Sequence, residues 1–240
     1  MQLHEHDGPG DRIMVIVAHP DDAEFMCAGS VAKWTSEGRE VIYTLVTSGD
    51  KGTPDPSITP QDLAKMREVE QGNVCDILGV SAIEFLRYED GMVQNTLDLR
   101  RDIVRVIRRH RPSAVITQNP TTRWSGNYVT HPDHRATGDA AMDAVFPSAR
   151  DVHMFPELAM NEGLDAHIVP HLYLGARDAT ADVYFDITDT IETKVRALNA
   201  HVTQIKDPSV TEGFVRENAK SAAAGHGIQY AESFKYFFLG

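Results

Sequence analysis

Cysteine is nearly missing from this chain. Its 240 residues hold two, Cys27 and Cys75, too few for a disulfide framework and in keeping with free thiols in a reducing cytoplasm. No apolar run approaches the roughly 20 residues that span a bilayer. The N-terminal stretch Met1-Gln2-Leu3-His4-Glu5-His6-Asp7 has neither a basic segment nor an apolar one, so no secretory leader is expected. Positive charge is also short: 23 Lys and Arg stand against 35 Asp and Glu, a formal net charge of −12. Such a field repels nucleic acid and anionic membranes. One basic cluster, Arg100, Arg101, Arg105, Arg108, Arg109 and Arg111, reads as a solvated helix face. Several enzyme signatures are missing as well. No G-x-G-x-x-G follows the first apolar run, and there is no P-loop, no H-E-x-x-H and no G-x-S-x-G elbow. Internal repeats, low-complexity tracts and linkers are absent too.

What is there is an ordinary globular composition, 42% apolar and 24% charged, long enough to bury a core. Residues 1–11 read as a tail, in which His4-Glu5-His6 is an incidental histidine cluster, and 12–240 as one domain. Apolar, β-branched runs at 13–18, 41–47, 83–86 and 114–117 predict strands. Between them, 27–37, 61–78 and 97–110 read as helices, the last from the spacing of Leu99, Ile103, Val106 and Ile107 and its stop at Pro112. A helix from His131 to about Ala144 follows, then strands at 171–174 and 182–186, helices at 188–206 and 211–224, and a final extended segment. This alternation predicts an α/β, Rossmann-like fold: a mainly parallel sheet flanked by helices in a single domain.

Two polar elements interrupt the pattern. Ala18-His19-Pro20-Asp21-Asp22-Ala23-Glu24 comes straight after the first strand, where an open parallel sheet places its ligands. A turn with a capping Asp would also explain this composition. The second element, His131-Pro132-Asp133-His134, makes that plainer reading insufficient. Two His at i and i+3 share a helix face, and a site with three protein ligands is the arrangement of catalytic zinc. The derived set is one His and one carboxylate from the first element and one His from the second. Asp21 and Asp22 are adjacent and point to different sides, so one binds metal while the other meets the attacking water; spacing does not say which.

As a pair, these elements resemble those of the LmbE-like or PIG-L family of metal-dependent N-acetylglucosaminyl deacetylases. The likeness runs from about Ile13 to Ala231-Glu232-Ser233-Phe234. It implies that Asp22 binds zinc with His19 and His134, and that Asp21 is the general base that takes a proton from the zinc-bound water. It implies that His131, as a charged imidazolium, supports the oxyanion and that Asp133 orients His131. Arg67 and Asp90 would meet sugar hydroxyls. The donor set suits zinc but admits ferrous iron, manganese or cobalt. The substrate implied is a small N-acetylated sugar conjugate, and trimers or hexamers are implied as assemblies. Two other readings stand beside this one: a metal-dependent amide hydrolase acting on a non-sugar molecule, and a non-catalytic zinc-binding protein. Glu24 is expected to support the site from behind. His201, Gln204 and His226 are expected to be structural, and Cys27 a packing residue. Trp124 and Tyr128 are candidates for stacking on a sugar ring, and specificity is expected in the loops at 48–60, 119–130 and 146–169.

Overall fold

A computed structural model describes residues 10–240; the His4-Glu5-His6 cluster and all but the end of the expected tail lie outside the described residues. The elements run β1 (Arg12–Val17), α1 (Asp22–Ser36), β2 (Glu40–Thr47), α2 (Pro60–Leu78), β3 (Ala82–Tyr88), α3 (Leu97–His110) and β4 (Ala114–Gln118). A short hairpin, β5 (Trp124–Ser125) and β6 (Tyr128–Val129), precedes α4 (Pro132–Asp143) and α5 (Pro156–Glu162). The chain ends with β7 (His171–Gly175), β8 (Val183–Asp186), α6 (Ile191–Asn199), α7 (Pro208–Ala223) and β9 (Ala231–Phe238).

The expected Rossmann-like α/β fold is present. Seven strands form one sheet in the order β3-β2-β1-β4-β7-β9-β8. The pairs among β3, β2, β1, β4 and β7 are parallel, and β9 runs antiparallel to both of its neighbours. Strand β1 explains why its sequence is apolar without a break. Ile13, Val15 and Val17 enter one core with α1, α2 and α6, while Met14 and Ile16 enter a second core with α3 and α4. A strand covered on both faces has no solvent side on which to place polar residues, and each fully buried Val or Ile is worth about 1.5–3 kcal/mol over exposure.

Four local differences from the sequence reading have physical causes. Helix α1 begins at Asp22, not near Cys27, and is kinked at Cys27, where the backbone leaves helical geometry. Helix α6 stops at Asn199, short of the expected end near 206, and Val202 beyond it is exposed. Tertiary bonds take over there: the Thr203 amide and hydroxyl donate to the two oxygens of Glu70, and Gln204 donates to the Gly52 carbonyl. Loops 119–130 and 146–169 hold the β5–β6 hairpin and α5. The arginines of α3 are mostly paired rather than free: Arg100 with Asp143, Arg101 with Asp98, Arg105 with Asp102 and Glu162, Arg109 with Glu84. Arg108 is buried and donates to the carbonyls of Ser148, Ala149, Asp151 and Met154. Cys27 and Cys75 are buried free thiols, as expected. No helix among the described residues is long and apolar enough to cross a membrane.

Candidate active site

Strand order reverses between β1 and β4. From β1 the chain winds outward through β2 and β3, then returns to the other side as β4. The crevice beyond the carboxyl ends of two such strands is where doubly wound sheets place ligands, and both polar elements arrive there. The Ala18 amide donates to Gln118 Oε1 at 3.1 Å, which ties the end of β1 to the end of β4.

Asp21 occupies the N-cap position of α1 with φ +93°, in the left-handed region. For a residue other than glycine such a backbone costs about 1–3 kcal/mol and persists only where its surroundings impose it. Asp22 and Glu24 fall in the first turn, where the helix dipole favours acids. Below them, the kink in α1 holds a buried ion pair. Glu232 on β9 accepts the Gly29 and Ser30 amides at 3.0 and 2.8 Å. Lys194 on α6 donates to the Phe25 carbonyl at 3.0 Å and to Glu232 at 2.5 Å. In a straight helix the Phe25 carbonyl and the Gly29 amide would pair with each other; here the ammonium meets one and the carboxylate the other.

His131 is the N-cap of α4, its Nδ1 accepting the Asp133 amide at 3.3 Å, with Pro132 in the first turn. Gly138 lets α4 sit directly on the end of β4: a Cβ there would lie 2.4 Å from the Gln118 carbonyl oxygen.

These two supports converge the expected residues. Asp22 bridges two histidines, with Oδ2 3.3 Å from His19 Nδ1 and Oδ1 3.0 Å from His134 Nε2. On its other side, His19 Nε2 lies 3.0 Å from Asp90 Oδ1 and 3.2 Å from Asp133 Oδ2. His19, His131 and His134 present ring nitrogens within 4.8 Å of one another, and so do the donor atoms of His19, Asp90, His131 and Asp133. Imidazoles and carboxylates converging in this way suit a divalent transition metal; Asp22, hydrogen-bonded to His19 and His134, belongs to neither of these two converging groups.

Charge follows from this crowding. Burial works against a charged His19, but hydrogen bonds to Asp133, Asp22 and Asp90 outweigh it and push the imidazole up to about 12. Asp22 is held well below the usual carboxylate range: burial opposes this, and the charge and hydrogen bond of His134, with those of His19, win. Asp21 goes the other way, raised to about 7 by burial and by the neighbouring Asp22 charge, against a smaller pull from Arg67. His131 lies below its ordinary value because it is partly buried and faces charged His19.

One expected contact is corrected here. The Asp133 carboxylate does not hydrogen-bond His131, which it approaches no closer than 4.0 Å; it accepts the Gly91 and Val93 amides and meets His19 instead. His131 Nδ1 serves as the N-cap acceptor of α4.

Arg67 and Asp90, 3% and 6% exposed, turn most of their polar atoms to the protein, although Arg67 Nε is buried without a hydrogen-bond partner. Arg67 donates to the Pro20 carbonyl at 2.6 Å and the Gly49 carbonyl at 3.0 Å, and lies 3.4 Å from Asp21 Oδ2. Asp90 accepts the Lys51 amide as well as meeting His19. Glu70 does not pair with Arg67 but turns to Thr203. Trp124 and Tyr128 stand exposed on the hairpin just ahead of His131. Gln71 was not among the expected residues. It joins the Asp21 amide to Glu24, and Glu24 meets His201. Its one sequence signal is its place four residues after Arg67, one helical turn further along α2.

A histidine–carboxylate cluster at the switch point of a doubly wound sheet is the arrangement of a metal-binding site. Comparison with known proteins narrows this. The family described as PIG-L, GlcNAc-PI de-N-acetylase, matches residues 14–145, and the chain belongs to that family. It is 32% identical over 228 residues to the diacetylchitobiose deacetylase of Thermococcus kodakarensis, covering 94% of this chain and 82% of that one. It is 27% identical to a probable N-acetyl-α-D-glucosaminyl L-malate deacetylase 2 of Bacillus anthracis, covering 80% of each. The structure of N,N′-diacetylchitobiose deacetylase from Pyrococcus horikoshii superposes with a TM-score of 0.89 at 28% identity, covering 99% of this chain and 87% of that one.

Proposed function

We propose that the chain is a deacetylase that hydrolyses the acetamide of an N-acetylglucosamine-type sugar conjugate, releasing acetate and the free amine. The observation that carries this is Asp22 shared between His19 and His134, with Asp21 beside it, at the sheet's switch point. The relatives named above supply the substrate class.

His19, Asp22 and His134 would hold the metal, zinc by preference, with ferrous iron, manganese or cobalt admitted by the same donors. When bound, such an ion supplies a Lewis acid for the amide carbonyl and makes water acidic near neutral pH. Asp21 takes a proton from the attacking water and returns it to the leaving nitrogen as the C–N bond breaks. Its raised pKa suits a base working near pH 7, and a cation on the neighbouring ligands pulls it back down. His131, with Nδ1 occupied as the N-cap acceptor, offers its Nε2–H to the oxygen of the tetrahedral adduct. Asp133 fixes His19 and the loop at Gly91 and Val93. Arg67 and Asp90 remain the candidates for contacts to sugar hydroxyls, through the small edge each leaves exposed. The same reading includes a cytoplasmic location and a trimeric or hexameric assembly, the latter read by light scattering.

The test is to incubate zinc-loaded protein, with a chelated control, on N-acetylated chitobiose, other N-acetylglucosamine conjugates and simple acyl amides. Metal-dependent acetate and amine release from the sugars supports the proposal. Release from non-sugar amides alone overturns the sugar assignment, and no release from any of them overturns the deacetylase reading.

A further inference from the structure

Asp21 can act only if its carboxylate is aimed, and its backbone is in a conformation that its own side chain does not favour. The peptide unit before it has two polar groups, and α2 holds both. Arg67 Nη2 donates to the Pro20 carbonyl at 2.6 Å. The Asp21 amide donates to Gln71 Oε1 at 3.3 Å. Arg67 and Gln71 lie one turn apart, so a single helix grips one peptide group from both edges.

The orientation of the Gln71 amide is itself dictated. Its Nε2 donates to Glu24 Oε1 at 3.2 Å, and the Asp21 backbone amide can only donate. The amide oxygen therefore has to face Asp21. Glu24 is fully buried and is fixed in turn by His201, whose Nε2 lies 2.9 Å from Glu24 Oε2. His201 is also fully buried, on the turn after α6. A chain of hydrogen bonds thus links α6, α1 and α2 to one backbone amide. His201, Glu24 and Gln71 all have 0% exposure, so none of them is placed to touch a substrate.

We propose that Gln71, Glu24 and His201 are positioning residues for the reaction: their hydrogen-bonded chain fixes the Pro20–Asp21 peptide and so aims the Asp21 carboxylate. This rests on Asp21 being the base, and it makes predictions that do not need activity. In the zinc-loaded protein without substrate, Gln71→Ala should speed amide hydrogen exchange across residues 19–24 by about tenfold or more, with other segments unchanged. Unchanged exchange there overturns the proposal, whatever reaction the protein performs.

With substrate, Gln71→Ala should lower kcat on the order of 10²-fold, the loss expected from a small misplacement of a reacting group. KM and zinc content should stay as in the wild type. A raised KM with unchanged kcat would make Gln71 a substrate contact and overturn the assignment. Gln71→Glu alone sets two carboxylates against each other and should be at least as impaired. Combining it with Glu24→Gln restores every donor and acceptor by exchanging the two groups. The amide placed at position 24 donates to the carboxylate placed at position 71 and accepts from His201, while that carboxylate accepts the Asp21 amide. Recovery of exchange protection and of most of the lost kcat in the double variant supports the chain. A double variant that folds with wild-type melting and regains neither overturns it. If the wild-type protein deacetylates nothing, the functional reading fails while the exchange experiment still decides the positioning one.

Discussion

Replacing Lys194 by Met should destabilise the protein severely without touching any residue of the site. Both side chains of the Lys194–Glu232 pair are 4% exposed. Removing the ammonium leaves the Glu232 charge inside with the Gly29 and Ser30 amides, and it leaves the Phe25 carbonyl with only the longer bond from Arg177 at 3.3 Å. Breaking a buried pair in this way costs about 3–5 kcal/mol. In a chain of this length each kcal/mol moves the midpoint by about 2–4 °C, so Tm should fall by roughly 6–20 °C. Circular dichroism during heating and in urea reads both quantities, and the urea m-value should not change. Lys194→Met/Glu232→Gln removes the stranded charge yet keeps an acceptor for the two amides, so it should recover a large part of the loss. A cost under about 1 kcal/mol, the value of an exposed pair, or a double variant no better than the single one, would refute the reasoning.

On the proposed mechanism, Asp21→Asn loaded with zinc should keep the metal, measured by metal analysis, and lose about 10²–10⁴-fold in turnover, the usual contribution of a positioned base. Gly138→Ala pushes a methyl to within 2.4 Å of the Gln118 carbonyl, so α4 must move; a lower Tm and weaker zinc retention under chelator competition are expected, and wild-type values for both would show that α4 has slack. His201 gives a pH signature. Burial lowers its pKa, but the bond and charge of Glu24, with the charge of Asp21, outweigh this and the opposing charge of Arg67, so the folded value is raised above 6.5. Its stabilising share is therefore complete below about pH 6.5 and is lost as pH rises through the raised value. Unfolding free energies measured across that range should fall less steeply for His201→Gln than for the wild type, and parallel curves would discount the ion pair with Glu24.

Strands β1, β2 and β4 were readable because burial on both faces leaves an unbroken apolar run, and α3 was readable to its ends because its apolar spacing is regular and Pro112 follows it. The start of α1 was not, since its first turn is polar: Asp22 and Glu24 stand where periodicity would look for apolar residues. The end of α6 is set by Glu70 and Gly52, more than a hundred residues away in the chain. The same distinction holds for the site. Histidines and aspartates within two short elements announce themselves by type and spacing. The partner of Asp133 does not, because it depends on where the loop at Gly91 and Val93 meets α4. Gln71 was invisible for a simpler reason: a glutamine has no chemistry of its own, and its importance lies in which way two neighbours force its amide to point.

Strand β9 lies between β7 and β8, both of which precede it in the chain. During synthesis the sheet therefore cannot grow outward in the order in which its strands emerge. Strand β8 has no partner, and one edge of β7 stands open, until the segment after α7 has left the ribosome. That interval exposes unpaired backbone of the kind that recruits other chains. The last strand thus acts as a keystone: it closes the sheet and, through Glu232, locks the helix that carries the first polar element, so sheet and site are completed in the same late event.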